Sequence, residues 1–369
     1  MKNFKYWDDL HKNENLEEFN NDRIGLLWLK IKSIIRKELI EDFVLRNKIS
    51  LKETALKQQF VELFVLLSQN IDESHKLLDA YITMISNQQI ASVNIQQLVS
   101  ELYKLKNFEW GGDYQNSLAK FLVSRYVKVQ NPSFDYLMSK FETEINPTVQ
   151  GYVLNSWYNY WSSVLIENIF KSHNAVLPTV GQIKSVDFFI DDIPFDLKVT
   201  YLPAEYIKQK RKEKGYPVEL TFLKQKAKEI NIAYDRNAKP ADIFYEITEK
   251  MKDRSDDVCK QTLQTLKSEK IEILKETQKN SKHLAKWLYE NQGEMRFGSE
   301  NRLFLVLVDI DDFNNSWKLK RNIDLLKPTI VSYLDNFKNK QITDLQVNFE
   351  FKGKPHTFSA LADVIFVIK

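Results

Sequence analysis

The stretch GQIKSVDFFIDDIPFDLKVTYLP, Gly181 to Pro203, decides the fold. From Val186 to Tyr201 it reads as a β-hairpin. Val186, Phe188 and Ile190 alternate with Asp187 and Phe189; Phe195, Leu197 and Val199 alternate with Asp196, Lys198 and Thr200. Side chains alternate faces along a strand, so Asp196 and Lys198 share the polar face of the second strand. Asp191-Asp192 supplies the turn chemistry. An even loop centred there pairs Ile190 with Ile193, Phe188 with Phe195, and Asp187 with Asp196. The two carboxylates then stand opposite each other, with β-carbons about 4.5–5.5 Å apart. Like charges so placed repel unless something neutralises them. A divalent cation is the natural answer, because Mg²⁺ prefers hard oxygen ligands and takes one or two protein carboxylates plus phosphate oxygens and water. Lys198, one pleat away, can orient a water and stabilise charge on a phosphate. The plain alternatives are a register that leaves both carboxylates in solvent, and a lysine that merely pairs with Asp196.

Upstream of the hairpin, an aromatic-rich helix is expected over roughly Thr148 to Ser172, with Pro147 breaking the chain before it. Its rings suit burial between layers better than base stacking. Downstream, a Lys/Glu-rich helical segment fills about residues 204 to 292. The run RLFLVLVD, Arg302 to Asp309, then reads as a strand covered on both faces. A helix around Trp317 to Phe337 and strands at Leu345 to Phe351 and Asp363 to Ile368 complete the chain. Strands mixed with helices indicate an α/β (α+β) domain. Residues 1 to 146 read as helical, with apolar residues at helical spacing in Ile24-Leu27-Trp28-Ile31, in Phe60-Leu63-Phe64-Leu67 and in Leu118-Phe121-Leu122-Tyr126. That region carries no catalytic pattern; recognition, dimerisation and plain scaffolding all stay open for it. The expected organisation is a helical domain at 1–146 and a sheet domain at 147–369 with a basic helical insertion at about 204–292.

Composition bounds the rest. The 369 residues are 43% hydrophobic and 28% charged, enough to bury a large core. Nine glycines and nine prolines favour long helices over a turn-rich sandwich. The net charge is only +3, but Pro203 to Lys286 holds 20 Lys and Arg against 14 Asp and Glu. A local basic surplus suits a phosphate-binding surface and equally a solvated helical face. Within it, KQKRKEK places Lys208, Lys210, Arg211, Lys212 and Lys214 directly after the hairpin, where DNA backbone contacts or a plain helix start are the two options. The single cysteine, Cys259, excludes an intrachain disulfide and a cysteine-rich zinc cluster. With neither an apolar leader at Met1–Leu10 nor a membrane-length apolar run, a cytoplasmic protein without membrane contact is expected. HExxH and GxxxxGK[ST] patterns are missing, which argues against a zinc protease or an ATP-driven translocase. Glu205 is an outside candidate for an extra ligand.

Asp187, eight intervening residues, then Asp196-Leu197-Lys198 on a second strand resembles the PD-(D/E)xK nuclease superfamily, which includes most type II restriction endonucleases. Val186 stands where that motif has its proline. The resemblance covers roughly residues 148 to 369. It implies a restriction-endonuclease-like mixed sheet flanked by helices, with RLFLVLVD as the strand after the catalytic hairpin. It also implies Mg²⁺ held by Asp187, Asp196 and the Leu197 carbonyl, Lys198 positioning the attacking water, and a helix glutamate, matched by Glu167, assisting. The implied activity is hydrolysis of double-stranded DNA by a homodimer, with a separately encoded methyltransferase as companion. Repair, junction-resolving or other phage-defence nucleases share such a core, and a non-catalytic helical DNA-binding protein is the reading outside enzymes.

Overall fold

The computed structural model describes every residue except 1, 14, 107–117, 129–132, 255, 292–299, 352, 354 and 355. Residues 1 and 292, which bound the expected helical region and insertion, therefore lie outside the described residues. The chain begins with helices α1 (Phe4–Lys12), α2 (Arg23–Ser33), α3 (Lys37–Arg46), α4 (Leu56–Leu67), α5 (Ile71–Ala91), α6 (Ile95–Tyr103), α7 (Leu118–Leu122), α8 (Phe134–Lys140) and α9 (Asn146–Lys171). Strands β1 (Val176–Ile183), β2 (Val186–Ile190) and β3 (Ile193–Tyr201) follow. Helices α10 (Ala204–Glu213), α11 (Glu219–Glu229), α12 (Pro240–Arg254), α13 (Asp257–Lys279) and α14 (Ser281–Asn291) separate them from β4 (Arg302–Val308). The chain ends with α15 (Ile323–Phe337), α16 (Ile342–Leu345), β5 (Gln346–Glu350) and β6 (Thr357–Ile368).

Local chemistry sets several of these boundaries. Asp22 caps α2 by accepting the Ile24 and Gly25 amides, and Asp256 caps α13 through the Cys259 amide. Pro147 does not break the chain as expected. It sits in the first turn of α9, directly after a π-helical turn, Phe141–Ile145, and the helical backbone runs through it. Two of the three apolar stripes read from sequence fall inside α2 and α4, and all but Ile24 of their eight residues are buried. The third runs from α7 into a π-helical turn, Val123–Val127, and of its four residues only Tyr126 is buried.

The six strands form one mixed sheet in the order β1-β2-β3-β4-β6-β5. The outer pairs β1–β2, β2–β3 and β5–β6 run antiparallel, whereas β3–β4 and β4–β6 run parallel. The chain is thus of mixed α/β class. One face of the sheet buries Phe188, Phe195, Leu303 and Leu305 under α9 and α15. The other buries Phe304, Val306 and Val364 under α10, α13 and α14. The N-terminal helices share a third core with the β1–β2 end, through Val180, Ile183, Val186 and Phe189. Contact there is close. A β-carbon on Gly181 would lie 2.3 Å from the Ser33 carbonyl oxygen, so only glycine lets β1 approach the end of α2. The described residues between β3 and β4 form five helices, and α11, α12 and α13 enclose a small core of their own around Leu223, Ile247 and Cys259.

Candidate active site

The β2–β3 hairpin closes on a two-residue turn. Asp191 and Asp192 both take left-handed backbone angles, φ 50° and 60°, as the favoured hairpin turn requires. Ile190 pairs with Ile193 and Phe188 with Phe195, the register expected from sequence. Beyond Phe195 the ladder forks. The Asp196 amide donates to the Asn301 carbonyl at 2.9 Å, and β3 continues alongside β4. The fork takes Leu197 away from the β2 backbone, and the Asp187 side chain takes its amide instead, Oδ2 accepting from Leu197 N at 2.8 Å. Asp187 and Asp196 are therefore brought together where two strand partners are exchanged.

The pair is withdrawn from water. Asp196 is 7% exposed. Burial first, then the charge of Asp196, raises the Asp187 carboxyl from 3.8 to about 6 against the pull of the Leu197 amide. Lys198 answers only part of the negative charge. Its Nζ bonds Asp196 Oδ1 at 2.9 Å and lies 2.7 Å from Oδ2, yet Oδ2 receives no properly directed hydrogen bond. The lysine side chain itself is 48% exposed, so it can reach outward. Glu167, on α9, adds to the negative charge felt by Asp187. Its carboxylate is tied to Lys171 at 2.7 Å, so it stands beside the pair without joining it.

Two residues that sequence reasoning missed complete the surroundings. Arg302, the first residue of β4, is the ladder partner of Asp196. Glu300 is 1% exposed, and its carboxyl is raised by burial, with Arg302 opposing. No motif could have flagged them, because the parallel pairing that delivers them follows the whole helical insertion.

The basic run divides by helical geometry. On α10, Tyr206, Ile207 and Arg211 face inward. Arg211 is inside the fold, donating to Glu269 at 2.6 Å and to the Pro217 carbonyl, which removes it from the DNA-facing surface expected for it. Lys214 is held by Glu272 and Glu276, and Lys210 by Glu213 at 2.7 Å. Lys208 and Lys212 are exposed, and Glu205 pairs with Lys208 at 3.2 Å.

Among the described residues, no group of three or more His, Cys, Asp and Glu is placed to hold a metal ion. The site offers a pair. Two adjacent desolvated carboxylates, one with an oxygen lacking a hydrogen bond, fit a hard cation that takes its other ligands from water and substrate. Among the described residues no helix is long and apolar enough to cross a membrane. Set against models of protein families, against curated proteins and against solved structures, the chain finds no match.

Proposed function

We propose that this chain is a Mg²⁺-dependent endonuclease that cuts double-stranded DNA at specific sites, in the manner of a type II restriction enzyme. One observation carries the reading: Asp187 and Asp196 meet at a strand fork with Lys198 on the same face. Architecture supports it. A helix bearing Glu167 precedes an antiparallel β1–β2–β3 unit, and a long crossover leads to a parallel β4. The glutamate-bearing helix, the hairpin and the following strand stand in the order that the PD-(D/E)xK resemblance calls for.

Asp187, Asp196 and the Leu197 carbonyl are the groups that would hold Mg²⁺, which when bound supplies Lewis acidity and a more acidic water. The chain's own residues do the rest. Asp187 must lose its proton for the pair to bind a cation, which it does above about pH 6. Lys198 holds the attacking water in line with phosphorus and stabilises charge as the 3′ oxygen leaves. Glu167 tunes the pair from α9 through its charge. Lys208 and Lys212 give sequence-independent phosphate contacts beside the strand. A two-fold DNA site suits a homodimer, and a partner methyltransferase would protect host DNA.

The test is incubation of the purified chain with unmethylated phage DNA, in Mg²⁺ or in EDTA. Discrete fragments in Mg²⁺ alone are expected. Random degradation would retain a nuclease and remove site specificity. Metal-independent DNA binding without any cutting would overturn the enzyme.

A further inference from the structure

Arg302 opens β4 beside Asp196, and the parallel register puts both side chains on one face of the sheet. Its guanidinium is fixed from several directions. Nε donates to Glu300 Oε1 at 3.0 Å, and Nη2 donates to the same oxygen. The group lies 4.9 Å from the centroid of the Tyr289 ring, and Nε is 3.9 Å from Asp196 Oδ2. Tyr289 is itself clamped, stacked on Phe349 at 4.3 Å and donating to the Glu300 carbonyl at 2.9 Å. Between Glu300 and Arg302, buried Asn301 donates to the Pro194 carbonyl at 2.9 Å and accepts the Leu361 amide at 2.9 Å. The start of β4 is therefore locked to the strands on both sides.

Stability alone does not explain this arrangement. Glu300 is 1% exposed, and its Oε2 has no hydrogen-bond partner among the described residues. Burying an incompletely satisfied carboxylate is unfavourable, and an apolar residue would avoid the penalty. The result is a guanidinium held in one orientation whose Nη1 makes no hydrogen bond among the described residues. A pre-oriented planar fork matches the geometry of phosphate oxygens, which a lysine cannot reproduce.

We infer that Arg302 is the second cation of the site: it shares Asp196 with the bound divalent ion and takes a non-bridging oxygen of the DNA phosphodiester through Nη1, with Glu300 as the residue that positions it. This rests on the nuclease reading above. It adds a role to the site: Lys198 serves the attacking water and the leaving oxygen, and Arg302 holds the non-bridging oxygen. Neither the sheet register nor the hairpin motif assigns the second role.

The test uses the full chain and the variants Arg302→Gln, Arg302→Lys and Glu300→Gln, each checked for fold by circular dichroism. Mn²⁺ binding without DNA, read by electron paramagnetic resonance, reports on the sharing of Asp196. Arg302→Gln is expected to bind Mn²⁺ several-fold more tightly, because a positive charge leaves the ion's surroundings. Single-turnover cleavage of duplex DNA in Mg²⁺ reports on the phosphate contact. Arg302→Gln is expected to be slower by about 100-fold, with Arg302→Lys recovering part of the loss and Glu300→Gln losing less. Duplex affinity in Ca²⁺ should change by less than about threefold, since many other phosphates are contacted. A folded Arg302→Gln that cuts at the wild-type rate overturns the phosphate contact and leaves the nuclease standing. Unchanged Mn²⁺ affinity overturns the sharing of Asp196. A wild type that binds Mn²⁺ and cuts no DNA overturns the nuclease reading, and the phosphate contact with it. If Glu300→Gln does not fold, the two Arg302 variants decide.

Discussion

The β2–β3 hairpin carries aspartates at both ends, and the fold treats them in opposite ways. At the turn, Asp192 accepts a hydrogen bond from the wholly buried Lys30 at 2.8 Å, and Asp79 accepts another at 3.1 Å. Burial pushes the Asp192 carboxyl up, but Lys30 wins and holds it below 3.8. At the fork, burial and a like charge push Asp187 up to about 6, and the charge of Lys198 does not reverse this. A neutralised buried charge ties α2 and α5 to the hairpin. An incompletely neutralised pair leaves electrostatic work for a ligand. The acidic residue alone is not the signal; the balance of burial and charge around it is.

The largest expected effect separates the ends by chemistry. Lys198→Ala should slow single-turnover cleavage by about 100-fold or more with the melting temperature nearly unchanged, because the side chain is half exposed. An unimpaired variant would reduce Lys198 to a strand charge. Lys30→Ala should do the reverse. It should lower stability by about 3 kcal/mol in urea titration, from lost packing and a broken charge pair, and leave the cleavage rate of folded protein intact. A loss of rate without loss of stability would place the turn end in the chemistry.

A smaller effect follows from pH. Asp187 titrates at 3.8 in the open chain and at about 6 in the fold. Its contribution therefore favours the fold below 3.8 and is lost as pH rises through about 6. Mg²⁺ should offset that loss, raising the melting temperature clearly at pH 7.5 and little at pH 5. Equal shifts at both values would remove Asp187 from the metal site. The smallest effect concerns the basic helix. Lys208→Ala with Lys212→Ala should weaken duplex binding uniformly across sequences and lower its salt dependence, whereas Arg211→Ala should act on stability, by about 2 kcal/mol. Matching salt slopes for wild type and the double variant would exclude that face from DNA.

Much of the hairpin was readable in the sequence, but the fork was not. The alternation around Asp191-Asp192 specified the turn and the register from Ile190–Ile193 out to Phe188–Phe195, because a side-chain period of two leaves no freedom once one face is buried. The expected ladder pair of Asp187 with Asp196 does not form, because Asp196 pairs with Arg302 of β4 instead. β1 escaped detection. Its sequence, VLPTVGQI, holds a proline and a glycine that weaken a strand reading, and Gly181 is there for its contact with Ser33. KQKRKEK looked like one surface because charge outweighed spacing. Arg211 lies four residues after buried Ile207, on the inward face, and its partner Glu269 belongs to a distant helix. Glu300 and Arg302 were invisible for a similar reason: nothing local says which end of an apolar strand will lie beside Asp196.

The most direct measurement compares wild type with Asp196→Asn, a substitution that keeps shape and removes charge. Cleavage of duplex DNA in Mg²⁺ and the metal-free melting temperature at pH 7.5 are read on the same preparations. The account predicts cutting by wild type only, with none in EDTA, and an Asp196→Asn melting temperature equal to or above wild type, because a like-charge repulsion has been relieved. Cutting by the variant at the wild-type rate, or a stability loss comparable to that of Lys30→Ala, would contradict it and make both ends of the hairpin architecture.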